Sequence, residues 1–149
     1  DDTSGDILEG RIYESGHKMI ERTIIPDDVD KIKETLETMS SQKEIDCIIT
    51  TGGTGLTGRD TTPEAVKEIA SKHIDGFGEL FRQVSFDKIG TSAIQSRAVA
   101  ALINTTYVFC LPGSTGACKD GWDEILKYQL DIRHKPCNFV EIMPRLNEK

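Results

Sequence analysis

Apolar residues along the chain keep two different rhythms. The segments "IDCIITT" (residues 45–51) and "AVAALINTTYVFCLPG" (98–113) are nearly unbroken apolar and β-branched runs. Such runs suit strands buried on both faces. The second is interrupted at Asn104–Thr106, which predicts two strands around a tight turn. "MIERTIIP" (19–26) reads as another strand, ending at its proline.

Elsewhere the period is helical. In "DDVDKIKETLETMSS" (27–41), Val29, Ile32, Leu36 and Met39 recur on one face. "DTSGDILEGRIYESG" (2–16) offers Ser4 as a cap and Gly16 as a stop, with Ile7, Leu8 and Ile12 on one side. A third helix is expected over residues 63–72, and a fourth over "FGELFRQVSF" (77–86), burying Phe77, Leu80, Phe81 and Val84 as core. After Pro112–Gly113, Ser114 or Thr115 caps a helix that carries Trp122, Ile125, Leu126 and Leu130. The tail, with two prolines, reads as irregular. Strands alternating with helices predict one α/β domain over residues 1–149: a three-layer α/β/α sandwich whose sheet is mostly parallel with one antiparallel strand.

Composition narrows the function classes. The 149 residues carry a net charge of −7 and no basic run, which excludes nucleic acid as the expected partner. No long apolar span and no signal-peptide pattern appear, so a cytoplasmic protein without membrane contact is expected. The chain starts at Asp1 rather than at a methionine, so its natural start is expected upstream. Cys47, Cys110, Cys118 and Cys137 lack C-x-x-C spacing, and the three histidines are scattered, which argues against a zinc or redox site.

The candidate chemistry lies in "TTGGTGLTGRDTTPEA" (50–65). Gly53, Gly55 and Gly58 match the dinucleotide pattern G-x-G-x-x-G, but Pro63 arrives too soon for the helix that motif requires. Gly53 and Gly58 match the P-loop pattern, but Arg59 and Asp60 stand where lysine and a hydroxyl belong. What remains is a glycine loop joining a strand's C-terminal end to a helix. That helix starts either with Thr61 and Glu64 as a capping box or with Thr62 as cap and Pro63 at its first position. Open α/β sheets bind ligands at such strand ends. "LPGST" places a second glycine and hydroxyls at another strand end. "IIPDD" places Asp27 and Asp28 at a third. One of these two aspartates caps the following helix, or Asp27 and Asp60 converge on one divalent cation.

Together these segments resemble the molybdopterin-binding and adenylyltransferase family, the MoaB/MogA group related to the G domain of gephyrin. "IIPDD", the glycine loop, "GFGELFRQVSF", "SRAVA" and "LPGS" follow in the family's order, covering nearly the whole chain. "KIGTSAIQSRAVA", "PGSTGACKDGW" and "KPCNF" are similar to the MoaB branch. The resemblance implies Mg2+- and ATP-dependent adenylylation of molybdopterin, with the pterin's terminal phosphate attacking the α-phosphate of ATP. It implies that Asp27 and Asp60 hold the Mg2+ and serve catalysis. Gly52, Gly53, Thr54 and Gly55, with Arg59, correspond to the phosphate loop. Pro112, Gly113 and Ser114 correspond to a second ligand loop, and Ser96 and Arg97 to the family's "SR" segment. It further implies a homo-oligomer, trimer or hexamer, and a strand with an S-D-x-R segment ahead of "DTSG". The alternative is a non-catalytic oligomer that stores or delivers molybdopterin.

Overall fold

The strand Thr106–Leu111 is buried along its whole length, and the domain is assembled around it. The computed structural model describes residues 2–149. In chain order its elements are α1 (Thr3–Glu14), α2 (Val29–Ser40), β1 (Cys47–Thr51), α3 (Thr62–Ile69), β2 (Lys72–His73), α4 (Asp75–Ile89), β3 (Val99–Ile103), β4 (Thr106–Leu111), α5 (Thr115–Gly121) and α6 (Lys127–Gln129). A π-helical turn, Trp122–Leu126, joins α5 to α6.

The sheet order is β1-β4-β3-β2. β4 pairs with β1 in parallel, while β3 runs antiparallel to both β4 and β2. Three strands therefore share one direction and β3 alone opposes them, as the sequence predicts. β3 and β4 form a hairpin whose turn places Asn104 at φ 57, a left-handed conformation that asparagine tolerates.

Period-two alternation sorts the strand residues between two cores. Tyr107, Phe109 and Leu111 of β4 and Ala100 and Leu102 of β3 join Leu8, Phe77, Phe81 and Trp122 from α1, α4 and the helix after β4. Val108, Cys110, Ala101 and Ile103 face the other way, onto Ile32, Leu36, Met39, Ala65 and Val66 of α2 and α3. This makes the three layers. Burial pushes the Cys47 and Tyr107 pKa values up to about 12 and that of Cys110 to about 11, so all three stay neutral at physiological pH.

Four local expectations differ. Residues 19–26 form no strand, because Arg22 is drawn onto α1 by Asp2, Asp6 and Glu9 at 3.1, 2.9 and 2.7 Å. A cavity of about 1510 Å3 lies between that segment and β1. The Asp46 carbonyl accepts from the Tyr107 N–H and the Gly52 N–H donates to the Leu111 carbonyl, so even-numbered residues here bond to β4. By alternation, the backbone groups of Cys47, Ile49 and Thr51 face the cavity. The helix expected over 63–72 ends at Ile69, since Ser71 and Ile74 donate to the Leu102 and Ala100 carbonyls and draw β2 onto the sheet edge. Ser4 does not cap α1; Asp2 does, accepting from the Gly5 N–H. Leu80 is exposed, whereas Phe77 and Phe81 of the same helix are buried.

Phe109 is fully buried, with ring centroids 5.2 Å from Phe77 and 5.5 Å from Phe139. Phe109→Ala is expected to lower unfolding free energy by about 3–5 kcal/mol in denaturant titrations. Leu80→Ala, on the exposed side of α4, is expected to stay within about 0.5 kcal/mol.

Candidate functional site

Because β1 and β4 are parallel neighbours, their C-terminal ends lie at one edge of the sheet. The loop 52–60 leaves β1 there and residues 112–114 leave β4. The N-terminal end of antiparallel β3 brings residues 96–98 to the same edge, since Val99 pairs with Cys110. Three chain segments thus meet where open α/β sheets take their ligands.

The two loops touch. A Cβ on Gly113 would stand 3.4 Å from the Gly52 Cα, so glycine at both positions lets the backbones approach. Beneath them, Ser4 Oγ donates to the Gly113 carbonyl at 2.7 Å and Thr51 Oγ1 to the Pro112 carbonyl at 3.0 Å. The Cys118 thiol lies 3.1 Å from Thr51 Oγ1 and donates to the same Pro112 carbonyl at 3.4 Å. Burial raises the pKa of this thiol, so it acts as a neutral hydrogen-bonding group. The Ser114 side chain accepts from the Ala117 N–H and caps α5. Ser4, Thr51 and Cys118 were not among the sequence candidates. Only Ser4 carried a signal, and that signal pointed to a cap.

Gly52 and Gly53 adopt φ 97 and 75. A Cβ on Gly53 would also collide with Thr62 Oγ1. Thr54 is buried, while Gly58 has open space around it. Asp60 turns back into its own loop: its Oδ2 accepts from the Thr57 N–H at 2.9 Å and the Thr57 hydroxyl at 2.8 Å. Those two bonds, led by the hydroxyl, hold its carboxyl below the usual range. Its Oδ1 accepts neither. Arg59 is 86% exposed and stands 3.7 Å from Asp27, which brings Asp27 to this corner. Asp28, not Asp27, caps α2, accepting from the Lys31 N–H at 3.1 Å.

At the start of α3 neither capping arrangement forms. Thr61 occupies the cap position without a side-chain hydrogen bond, and its hydroxyl is buried without a partner. Thr62 is already helical and donates to the Gly52 carbonyl at 3.4 Å. Glu64 bonds to Arg97 instead of closing a capping box, and the guanidinium holds its carboxyl below the usual range. Arg97 also donates to the Gly55 and Asp60 carbonyls. The Ser96 hydroxyl accepts from the Ala98 N–H at 3.3 Å, and its carbonyl accepts from Arg82 at 3.2 Å. Both residues of the "SR" segment thus make their bonds within the protein. Among the described residues, no group of three or more His, Cys, Asp or Glu could hold a metal by itself.

An α/β sandwich with two glycine-bearing loops abutting beyond parallel strand ends has the arrangement at which open α/β sheets take ligands. Residues 1–132 match the profile of the family described as "Probable molybdopterin binding domain", and the chain belongs to that family. It is 42% identical over 139 residues to molybdenum cofactor biosynthesis protein B of Escherichia coli K12, covering 93% of this chain and 82% of that protein. A crystal structure of a molybdenum cofactor biosynthesis protein B superposes with TM-score 0.88 at 36% identity, covering 99% of this chain and 87% of the other. The tungsten cofactor synthesizing protein MoaB from Pyrococcus furiosus gives TM-score 0.77 at 33% identity, over 85% and 79% of the two chains.

Gly53→Ala combines a strained φ with a contact against Thr62, and is expected to cost about 1–3 kcal/mol in denaturant unfolding. Gly58→Ala is expected within about 0.5 kcal/mol. Asp60 and Glu64 have depressed folded pKa values, so their stabilisation is complete above the ordinary carboxylate range, roughly pH 4. It is lost only as pH falls through the depressed values. Amide NMR shifts of residues 52–60 are expected to hold from pH 7 to pH 5 and to move below that range.

Proposed function

We propose that the chain works in molybdenum cofactor biosynthesis as a Mg2+- and ATP-dependent molybdopterin adenylyltransferase. The observation that carries this reading is the meeting of Gly52 and Gly113, which puts two phosphate-sized loops side by side at one sheet edge. Adenylyl transfer brings together two phosphate-bearing reactants and so calls for two such loops. The reaction forms a bond from the pterin's terminal phosphate oxygen to the α-phosphorus of ATP and breaks the α–β phosphoanhydride, releasing pyrophosphate. Phosphoryl-type transfer asks the protein for positioning and charge neutralisation.

Each task falls to a named group. Loop N–H groups of Gly53 and Thr54 and the Gly113–Ser114 backbone orient the two phosphates. Arg59, exposed and only loosely paired with Asp27, can swing onto a phosphate oxygen. Asp27 and Asp60 would hold a magnesium ion, both carboxylates being at this corner. The ion would supply charge neutralisation between the phosphates and the two carboxylates. Thr57 keeps Asp60 ionised and aimed. Among the described residues no third acidic group joins these two, so the protein's own hold on metal is weak, which suits an ion that arrives with ATP. The same paucity of acids also favours a second reading, a non-catalytic oligomer that binds and delivers the pterin.

Phe86, Ile89 and Ile94 are exposed by 57%, 58% and 84% along the end of α4 and the turn that follows. Such an apolar patch suits self-association, and we assign it to a trimer or a hexamer. Light scattering is expected to give three or six chains per particle, and Ile89→Glu with Ile94→Glu to yield smaller species. A parent protein that is monomeric at micromolar concentration contradicts the assignment.

Asp60→Asn preserves shape and removes charge. Single-turnover assays with molybdopterin and Mg-ATP are expected to show transfer reduced by on the order of 10²–10³. Metal-free pterin binding is expected to be nearly unchanged. Full transfer by the variant removes Asp60 from the chemistry; no transfer by the parent, with pterin bound, leaves the binding-only reading.

A further inference from the structure

We infer that Arg97 is a positioning residue that sets the shape of the 52–60 loop, and that it does so by direct bonds to the loop, braced by Glu64, rather than by touching the ligand. One side chain spans the loop from its middle to its exit. Arg97 Nε donates to the Gly55 carbonyl at 2.8 Å, and Nη2 to the Asp60 carbonyl at 2.9 Å. Nη1 and Nη2 grip the two Glu64 oxygens in the first turn of α3. The Arg97 backbone N–H adds a bond to the Thr54 carbonyl at 2.9 Å. The segment leading into β3 therefore holds the loop at Thr54–Gly55, at its exit and at the helix it feeds. Arg97 in turn follows directly on a segment anchored by Arg82, which donates to the Ser96 and Ala98 carbonyls on either side of it.

The consequence for the loop is directional. A carbonyl and the N–H of the same planar peptide point opposite ways. Drawing the Thr54 and Gly55 carbonyls toward Arg97 turns the N–H groups of Gly55 and Leu56 to the other side. That is the side of the Asp60 carboxylate, which the Gly55 N–H helps to keep charged. A planar guanidinium can serve three acceptors in fixed directions, whereas a lysine ammonium offers a point charge on a flexible stem. Positive charge alone is therefore not the feature that matters here. The inference rests on the reading of the 52–60 loop as a phosphate cradle only for its functional consequence; the loop's shape can be measured without ligand.

Trypsin supplies that measurement, because Arg59 is an exposed cleavage site within the loop and Arg133, also 86% exposed, is a reference site outside it. Cleavage after Arg59 relative to Arg133 is followed by mass spectrometry in the parent, Arg97→Lys, Arg97→Gln and Glu64→Gln, with no ligand present. All three variants are expected to raise the ratio by on the order of 10-fold, the scale of a lost charge-assisted bond. Calorimetry with inorganic pyrophosphate is expected to show Arg97→Lys and Arg97→Gln losing similar affinity, so that the conservative change gives no rescue. An unchanged cleavage ratio overturns the inference. So does an Arg97→Lys protein that keeps parental affinity while Arg97→Gln loses it, which marks a plain cation on the ligand. If the parent itself binds no pyrophosphate, the cleavage ratio still decides the role of Arg97, and the failure falls on the phosphate reading of the loop.

Discussion

The parallel pairing of β1 with β4 is the constraint on which the rest depends. β4 is buried on both faces and fully hydrogen-bonded between its neighbours, so it cannot shift without exposing either core. A one-residue slip would send Phe109 and Leu111 into the layer built for Val108 and Cys110. With register fixed in this way, Gly52 and Gly113 leave the sheet side by side. The packing of the interior thus determines where the candidate site lies, even though the large apolar side chain of the glycine loop, Leu56, is itself exposed.

The site solves an electrostatic problem set by the composition. A chain of net charge −7 is a poor long-range attractor for phosphates. Its acidic groups near the loops are therefore engaged locally: Glu64 by Arg97, Asp60 by Thr57, Asp27 by Arg59. On the proposed reading, backbone N–H groups and a few cations then remain to meet an anion. Polar side chains from α1, β1 and α5, namely Ser4, Thr51 and Cys118, satisfy carbonyls that would otherwise be stranded under the second loop. The floor is thereby held in place by neutral groups that add no charge to the site.

Sheet composition, helix faces and the two glycine loops at strand ends were legible in the sequence because each follows from a local period or from turn chemistry. Where the reading and the structure part, long-range partners decide. Residues 19–26 have the apolar content of a strand, but no ladder partner adjoins them and Arg22 answers to three carboxylates on α1. β2 is two residues of charged and polar character, invisible as a strand until the Leu102 and Ala100 carbonyls claim the residues flanking it. Glu64 has capping-box spacing, yet an arginine 33 positions later takes it. Leu80 lies one turn from buried Phe77 and is still exposed, because the face that α4 buries is narrower than its apolar content suggests. The family resemblance located the "SR" segment; only the geometry shows that its arginine is bonded to the loop.

The central claim, that two loops at one sheet edge receive the ligand together, is tested most directly by amide NMR during titration with molybdopterin and then with Mg-ATP. The account predicts that signals of Gly52, Gly53, Gly55, Gly113 and Ser114 move together at the same ligand concentrations, while those of the distant hairpin turn at Asn104 stay still. Shifts confined to another surface, such as the cleft lined by Lys67, His73 and Arg82, with both glycine loops unmoved, would contradict it.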